Sequence, residues 1–126
     1  YKEQTSDTST TSTSYVAFGG MSQDITMSSG GILLVHFTVS FDADSASRVG
    51  SFKLKIDGTD IRETAQWTAS SANNTVCASM VYRKTGLSAG ARAVELLWKT
   101  DGGTIRCRPA TTLNNHSSLL LQEVRA

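Results

Sequence analysis

Residues 33–41 read LLVHFTVSF, and this stretch decides the fold class. Its apolar side chains recur at every second position, at Leu33, Val35, Phe37, Val39 and Phe41. The polar side chains that alternate with them are His36, Thr38 and Ser40. Because successive side chains of a β-strand point to opposite faces of a sheet, this period of two predicts one long strand with a buried face and a polar face.

Two turn signals divide the sequence after this strand. Asp57-Gly58 favours the positive φ angles of a tight hairpin turn, so the strands at 52–56 and 61–67 are expected to pair antiparallel. Asp101-Gly102-Gly103 predicts a second hairpin. The full set of expected strands is 15–18, 25–27, 33–41, 52–56, 61–67, 76–82, 94–98, 105–107 and 118–124.

This pattern predicts an all-β protein of about eight or nine short strands, without helical periodicity. Two antiparallel sheets packed face to face would bury the apolar faces, and a jelly roll is the commonest way to connect strands of this number. The last strand, 118–124, is apolar at Leu119, Leu120 and Leu121. It is therefore expected to be central and covered on both surfaces.

The first fourteen residues differ in composition from the rest of the chain. Thr5–Ser14 reads TSDTSTTSTS, with nine hydroxyl side chains, one Asp and no apolar side chain to offset the entropy of ordering. Residues 1–14 are expected to form a flexible linker, or an arm that orders against a neighbouring subunit. Residues 15–126 are expected to form the sandwich domain.

Composition excludes several classes of partner. The chain has 126 residues, with 12 Lys and Arg against 11 Asp and Glu, which gives a net charge of +1. The basic residues are scattered and form no stripe for nucleic-acid phosphates. No apolar run approaches the roughly 20 residues that cross a bilayer as a helix. Neither a nucleic-acid partner nor membrane insertion is therefore expected.

Residues that could perform catalysis or bind a metal are few. His36 and His116 lack the additional ligands at recognisable spacing that a metal site needs, so each is expected to hydrogen-bond at a surface or interface. No nucleophile elbow occurs, and the carboxylates that stand singly in strand patterns are Glu63, Glu95 and Glu123. We therefore expect a protein that is not an enzyme, with no catalytic residue, no cofactor and no metal.

Two acidic pairs offer oxygen atoms of the kind that calcium binds. They are Asp42 with Asp44, and Asp57 with Asp60. Neither pair completes a known calcium loop, and aspartates in turns usually bond nearby backbone. The turn interpretation is therefore preferred for both pairs.

The cysteines and the glycosylation triplets indicate little about function. Cys77 and Cys107 have opposite phases in their strands, which predicts two separate thiols rather than a disulfide. Asn73-Asn74-Thr75 and Asn115-His116-Ser117 match the glycosylation triplet, but chance matches are expected in a chain with 33 Ser and Thr among 126 residues.

Three residues are candidates for contact with a partner protein or a glycan: Trp67, Tyr82 and Arg62. Trp67 and Trp98 fall on the expected inner faces, where burial is the default. An aromatic ring near a strand end also forms a platform for a sugar ring or an anchor for a partner, and Trp67 is the nearer to a loop. Trp67 or Tyr82 would stack on a sugar ring, and Arg62 would hydrogen-bond its hydroxyls.

Motifs in the second half of the chain resemble a known family. Residues 86–90 read GLSAG, the strand at 94–98 ends in Trp, residues 102–104 read GGT, and residues 118–124 read SLLLQEV. Together with the IDGT hairpin at 56–59, they resemble the virion-associated β-sandwich domains of phage tail fibres, tail tips and capsid decorations. These domains are similar in architecture to the trimeric jelly rolls of the tumour-necrosis-factor and complement type. The resemblance covers about residues 15–126, implies a homotrimer and brings no catalytic residue.

Two functions are therefore expected as alternatives. The first is a non-enzymatic structural protein on the virion exterior, a capsid decoration or tail-fibre component that contacts other virion proteins as a homotrimer. The second is a carbohydrate-binding module or host-receptor-binding tip, virion-borne or extracellular, that recognises host-surface glycans. A trimer that persists on dilution favours the first, and glycan binding that is lost in Trp67→Ala favours the second.

Overall fold

The computed structural model describes residues 1–68, 71–110 and 116–125, and all regular structure in these ranges is β-strand. This confirms the predicted all-β class. The eleven strands are β1 (Lys2–Glu3), β2 (Thr8–Thr10), β3 (Val16–Ala17), β4 (Gln23–Met27), β5 (Gly31–Ala43), β6 (Val49–Ile56), β7 (Thr59–Trp67), β8 (Val76–Leu87), β9 (Gly90–Thr100), β10 (Ile105–Cys107) and β11 (Ser117–Val124). All nine predicted strands are among them, and none of the described residues forms a helix that could cross a membrane.

The strands form two antiparallel sheets. In the six-stranded sheet, β5 pairs with β8 on one side and with β11 and β10, end to end, on the other, while β1 and β2 extend β11 and β10. In the five-stranded sheet, β9 pairs with β6 on one side and with β4 and β3 on the other, and β7 is the edge beyond β6. The resulting orders, β1–β11–β5–β8 and β4–β9–β6–β7, are those of a jelly roll, as predicted.

Aromatic side chains from both sheets fill the core. The rings of Phe18 and Trp98 lie 4.4 Å apart between centroids, and Phe52 of the five-stranded sheet packs on Phe41 of the six-stranded sheet at 5.2 Å. Trp98 is buried as predicted. At Gly50 a Cβ atom would lie 2.5 Å from the Phe41 ring, so the close approach of the two sheets requires glycine at this position.

The first fourteen residues belong to the sandwich, which differs from the expected linker or arm. β1 pairs with β11 and β2 pairs with β10 of the same chain. Gln4 and Thr10 are buried, and the backbone amide of Gln4 donates to the backbone carbonyl of Ser117 at 2.9 Å. Backbone hydrogen bonds to β10 and β11 compensate the ordering of a segment that has almost no apolar side chains.

The Asp57-Gly58 hairpin is confirmed, but the strand after it changes phase. The second predicted hairpin, at Asp101-Gly102-Gly103, is wrong, because β9 and β10 belong to different sheets and β10 pairs with β5 and β2. Asp57 and Gly58 have φ angles of 50° and 76°. The register then shifts by one residue, because Lys55 opposes Asp60 whereas Leu54 opposes Arg62, which leaves Ile61 as the extra residue of a bulge. The predicted inner face of β7 is therefore wrong beyond Ile61, and Trp67 lies on the outer face.

Candidate functional site

The three predicted contact residues do not form one site. Trp67 is 62% exposed at the end of β7. Tyr82 opposes Val35 and packs against the core from the inner face of β8. Arg62 is exposed but opposes the buried Leu54, so it lies on the other side of β7 from Trp67. Trp67 is thus the predicted contact residue that presents an aromatic surface to solvent.

The two histidines lie in or beside the same strand, since the His116 carbonyl accepts the amide of Ser40 on β5, but they have different neighbours. His36 is exposed in the middle of β5, with Nε2 3.4 Å from Thr38 Oγ1. Nδ1 of His116 lies 3.7 Å from Glu3 Oε1. Within residues 1–68, 71–110 and 116–125, no group of three or more His, Cys, Asp or Glu side chains is arranged to hold a metal ion.

Asp44 and Asp57 lie between strands, as the turn interpretation expects, but their carboxylates bond the backbone of distant segments and not that of their own turns. Asp44 Oδ1 accepts the Thr104 amide at 3.1 Å, a bond that lowers the pKa of Asp44, and Asp57 Oδ1 accepts the Ala93 amide at 2.9 Å. Asp42 and Asp60 lie within strands and form ion pairs with lysine or arginine side chains, so the turn interpretation is wrong for them.

Asp42 is the centre of a buried ion cluster at one end of the six-stranded sheet. Its side chain is fully buried, and Arg106 Nε and Nη2 lie 2.8 and 2.6 Å from Oδ1. Arg108 Nε and Nη2 donate to Oδ2 at 2.9 and 2.7 Å.

One of the two glycosylation triplets begins at Asn73, next to this cluster. Arg106 donates to Asn73 Oδ1 at 2.6 Å, so the side-chain amide of Asn73 is already hydrogen-bonded. The other begins at Asn115, outside the described residues.

The two thiols do not bond to each other, as predicted. Cys77 is exposed on β8, and Cys107 is buried with Sγ 3.1 Å from Ser117 Oγ. Burial raises the pKa of the Cys107 thiol. Their environments therefore give them different reactivity toward reagents in solution.

The outer surface of the six-stranded sheet carries two exposed apolar side chains, Val81 of β8 and Leu120 of β11, on either side of His36 in the pairing register, and we call this surface the apolar face. Val81 is 62% exposed and Leu120 is 41% exposed. With Leu34 and Gln122 they line a groove of about 210 Å³. The expectation that β11 is covered on both surfaces is therefore wrong at Leu120, although Leu119 and Leu121 are buried.

The outer surface of the five-stranded sheet is polar and aromatic, and we call it the aromatic face. The half-buried Tyr15 ring lies against two ammonium groups, with its centroid 4.4 Å from Lys53 Nζ and 4.6 Å from Lys99 Nζ. Lys53 also pairs with Asp60 at 2.7 Å and with Glu63 at 3.0 Å. Burial, followed by the Glu63 carboxylate, raises the pKa of the Tyr15 hydroxyl.

Sequence reasoning missed Tyr15, Lys53 and Lys99 as parts of one surface. The alternation of Lys53 and Lys55 with apolar residues indicates an outward face of β6. Nothing in the sequence indicates that Tyr15 lies on that face, because the contact depends on the pairing of β3 with β9, more than 80 residues later.

Comparisons with known proteins identify no family for this chain. No family model matches it, and no curated protein matches it in sequence. Among solved structures it is similar to the dimeric latent PorU from Porphyromonas gingivalis, with 12% sequence identity and a TM-score of 0.41. The match covers 90% of this chain and 12% of that chain. A likeness this weak bears on neither the family nor the function.

Proposed function

We propose that this chain is a non-enzymatic structural module of a virion exterior, a capsid decoration or tail-fibre component that acts through protein–protein contacts as a homotrimer. The observation that supports self-association is the row Val81–His36–Leu120 on the apolar face. The virion context is inferred from the family-like motifs GLSAG at 86–90, GGT at 102–104 and SLLLQEV at 118–124.

The physical argument concerns the cost of leaving this row in water. Single exposed apolar residues are common on protein surfaces, but Val81 and Leu120 are neighbours across one central strand and share a groove. Burying a fully exposed aliphatic side chain of this size contributes about 1.5–3 kcal/mol, and Val81 and Leu120 have 62% and 41% of that exposure left to bury. In a closed symmetric oligomer every copy buries the same patch, so this contribution is repeated at each interface.

The experiment is the solution mass by light scattering across a dilution series. We expect a mass near three times the 13.5 kDa of one chain, and a monomer for Val81→Glu. The matched control is Ala65→Glu, which adds the same charge at an exposed position on the aromatic face. A monomer at every concentration contradicts self-association, and a Val81→Glu trimer contradicts this choice of interface.

A second candidate, glycan recognition by a binding module or receptor-binding tip, is supported by the exposure of Trp67. An indole that is 62% exposed on a paired strand is a large amphipathic surface held in one place. The test is a glycan array with the unmodified chain and with Trp67→Ala. Binding that is lost in a variant with unchanged thermal unfolding supports this function, and an array without any bound glycan contradicts it.

A further inference from the structure

We propose that the aromatic face binds an acidic pyranose, a six-membered sugar ring that bears a carboxylate, with the ring on Trp67 and the carboxylate at Lys99. The inference deepens the second candidate function and does not depend on the trimer, because the apolar face lies on the other sheet. It rests on the shape of the surface, on the position of the exposed ring and on the charges beside it.

The surface contains a depression whose floor consists of small side chains. Ser51 of β6 lies directly between Ala65 of β7 and Lys99 of β9 in the pairing register. Tyr15, Glu63 and Thr64 complete the lining of a cavity of about 230 Å³. Sites for drug-sized ligands measure about 300–1,000 Å³, so this depression suits a single sugar ring rather than a larger compound.

Trp67 does not line this depression but lies next to one of its lining residues along β7. It is two residues beyond Ala65 on the same face of β7, a separation of about 7 Å along a strand. Its backbone is fixed by pairing with Val49 and by the following Thr68 amide, which donates to the Arg48 carbonyl at 2.7 Å. The face of an aromatic ring carries partial negative charge, and the C–H groups on one side of a pyranose ring carry partial positive charge. An indole next to a polar depression therefore matches one face of a sugar.

The lining of the depression carries one carboxylate, Glu63, and one ammonium group, Lys99, and the ammonium group is the one available to an acidic ligand. Lys53 and Lys55 are paired with Asp60, and Lys53 is also paired with Glu63. Lys99 contacts the Tyr15 ring but forms no ion pair with any described carboxylate. Its ammonium thus retains donors for an anionic group, while the Ser51 hydroxyl and the Glu63 carboxylate lie within the same lining to bond sugar hydroxyls.

The experiment compares methyl β-D-glucuronide with methyl β-D-glucoside, which differ in the carboxylate. Tryptophan fluorescence reports on Trp67, because Trp98 is buried and shielded from the ligand. Amide shifts in an NMR titration show which strands respond. We expect the glucuronide to shift the amides of Ser51, Ala65 and Lys99, and the glucoside to bind at least tenfold more weakly. Equal binding of the two sugars overturns the role of Lys99, and no response to about 10 mM of either sugar overturns the site.

Two variants separate the ring from the charge. Trp67→Ala is expected to weaken binding of the glucuronide at least tenfold, and Lys99→Gln to abolish the preference for glucuronide over glucoside. The matched controls are Tyr1→Ala, which removes an aromatic side chain that is 68% exposed, and Lys84→Gln, which removes a cation from the other sheet. Retention of full affinity in Trp67→Ala, or of the acid preference in Lys99→Gln, contradicts the assignment. The mass of each sample shows separately whether the oligomer is intact.

Discussion

The two sheets of this sandwich have similar inner faces and very different outer faces. Both inner faces are apolar and contribute aromatic rings to one core. On the outside, the six-stranded sheet presents Val81, His36 and Leu120, whereas the five-stranded sheet presents paired charges and two aromatic rings. Burial constrains the inner residues of any sandwich, so the outer residues are where two sheets of one fold can acquire different functions.

The two outer faces also differ in how deeply they bury their carboxylates. Asp42 on the outer side of the six-stranded sheet is fully buried beneath two arginines. Asp60 on the five-stranded sheet pairs with lysines while its side chain is 55% exposed. A buried ion pair loses far more when one partner is removed than a solvated pair does.

The largest effect is therefore expected for Asp42→Asn. The substitution leaves the guanidinium groups of Arg106 and Arg108 without their carboxylate, a loss of about 3–5 kcal/mol for a fully buried pair. The arginine side chains are 23% and 27% exposed, and their solvation lowers the expected loss of unfolding free energy to about 2–4 kcal/mol. Urea denaturation measures it, with Asp60→Asn as the matched control. Equal losses in the two variants would contradict the contrast between the faces.

The next effect concerns the apolar face and association. Val81→Thr combined with Leu120→Thr keeps the size and strand preference of Val81 but makes both positions polar. Because both side chains are exposed in the single chain, we expect each substitution to change its own stability by about 0.5 kcal/mol or less, and the two together by about 1 kcal/mol or less. The thermal midpoint of the unmodified oligomer should rise with protein concentration, and this dependence should disappear in the double variant. If the thermal midpoint of the double variant still rises with protein concentration, the interface lies elsewhere on the surface.

A smaller, pH-dependent effect is expected at Glu123, which links β11 to the segment between β4 and β5. The amides of Ser28 and Ser29 donate to its carboxylate at 3.0 and 3.1 Å, and these bonds, with the Ser28 hydroxyl, lower the pKa of Glu123. A lowered pKa stabilises the fold above the ordinary carboxyl value of about 4.3, and this contribution is lost as the pH falls through the lowered pKa.

Glu123→Gln should therefore reduce the thermal midpoint at pH 7 and make less difference near about pH 3. Thermal unfolding of both proteins at the two pH values measures this, and Glu95→Gln, at an exposed position of β9, is the control. A difference between Glu123→Gln and the unmodified chain that is as large in acid as at neutral pH would show that the carboxylate charge is not responsible.

The smallest perturbation is chemical labelling of the thiols, which should leave the stability unchanged. Cys77 is exposed on the outer edge strand β8, and Cys107 is buried with a raised pKa. We expect one thiol equivalent to react promptly with Ellman's reagent in the native protein and two after denaturation. If Cys77 reacts slowly in the unmodified protein and quickly in Val81→Glu, the oligomer interface extends along β8 and also covers Cys77.

Much of the fold was predictable from local sequence. The alternation in 33–41 predicted β5, and Asp57-Gly58 predicted the hairpin of β6 and β7. Trp98 was predicted on the inner face and is buried. These features depend on residues that are close in sequence, because side-chain alternation and turn geometry are local properties of the backbone.

The candidate surfaces were less predictable. Trp67 was expected on an inner face, but one additional residue at Ile61 reverses the later part of β7. A bulge leaves no clear signal in the sequence, since the register depends on the partner strand as well. Leu120 was expected to be covered, but a period of two does not distinguish a face that packs in the core from an apolar face that is left in water.

The sequence by itself therefore determined the class of fold, the positions of nine strands and the identity of most of the core. Only the tertiary structure brought Tyr15 to Lys99, Asp42 to Arg106 and Arg108, and the first fourteen residues to β10 and β11. Each of these contacts joins segments that are far apart in the chain. Their formation depends on which strands pair and in which register, and this is a property of the whole fold. Hydrophobic alternation, in contrast, is present in the sequence of each strand separately.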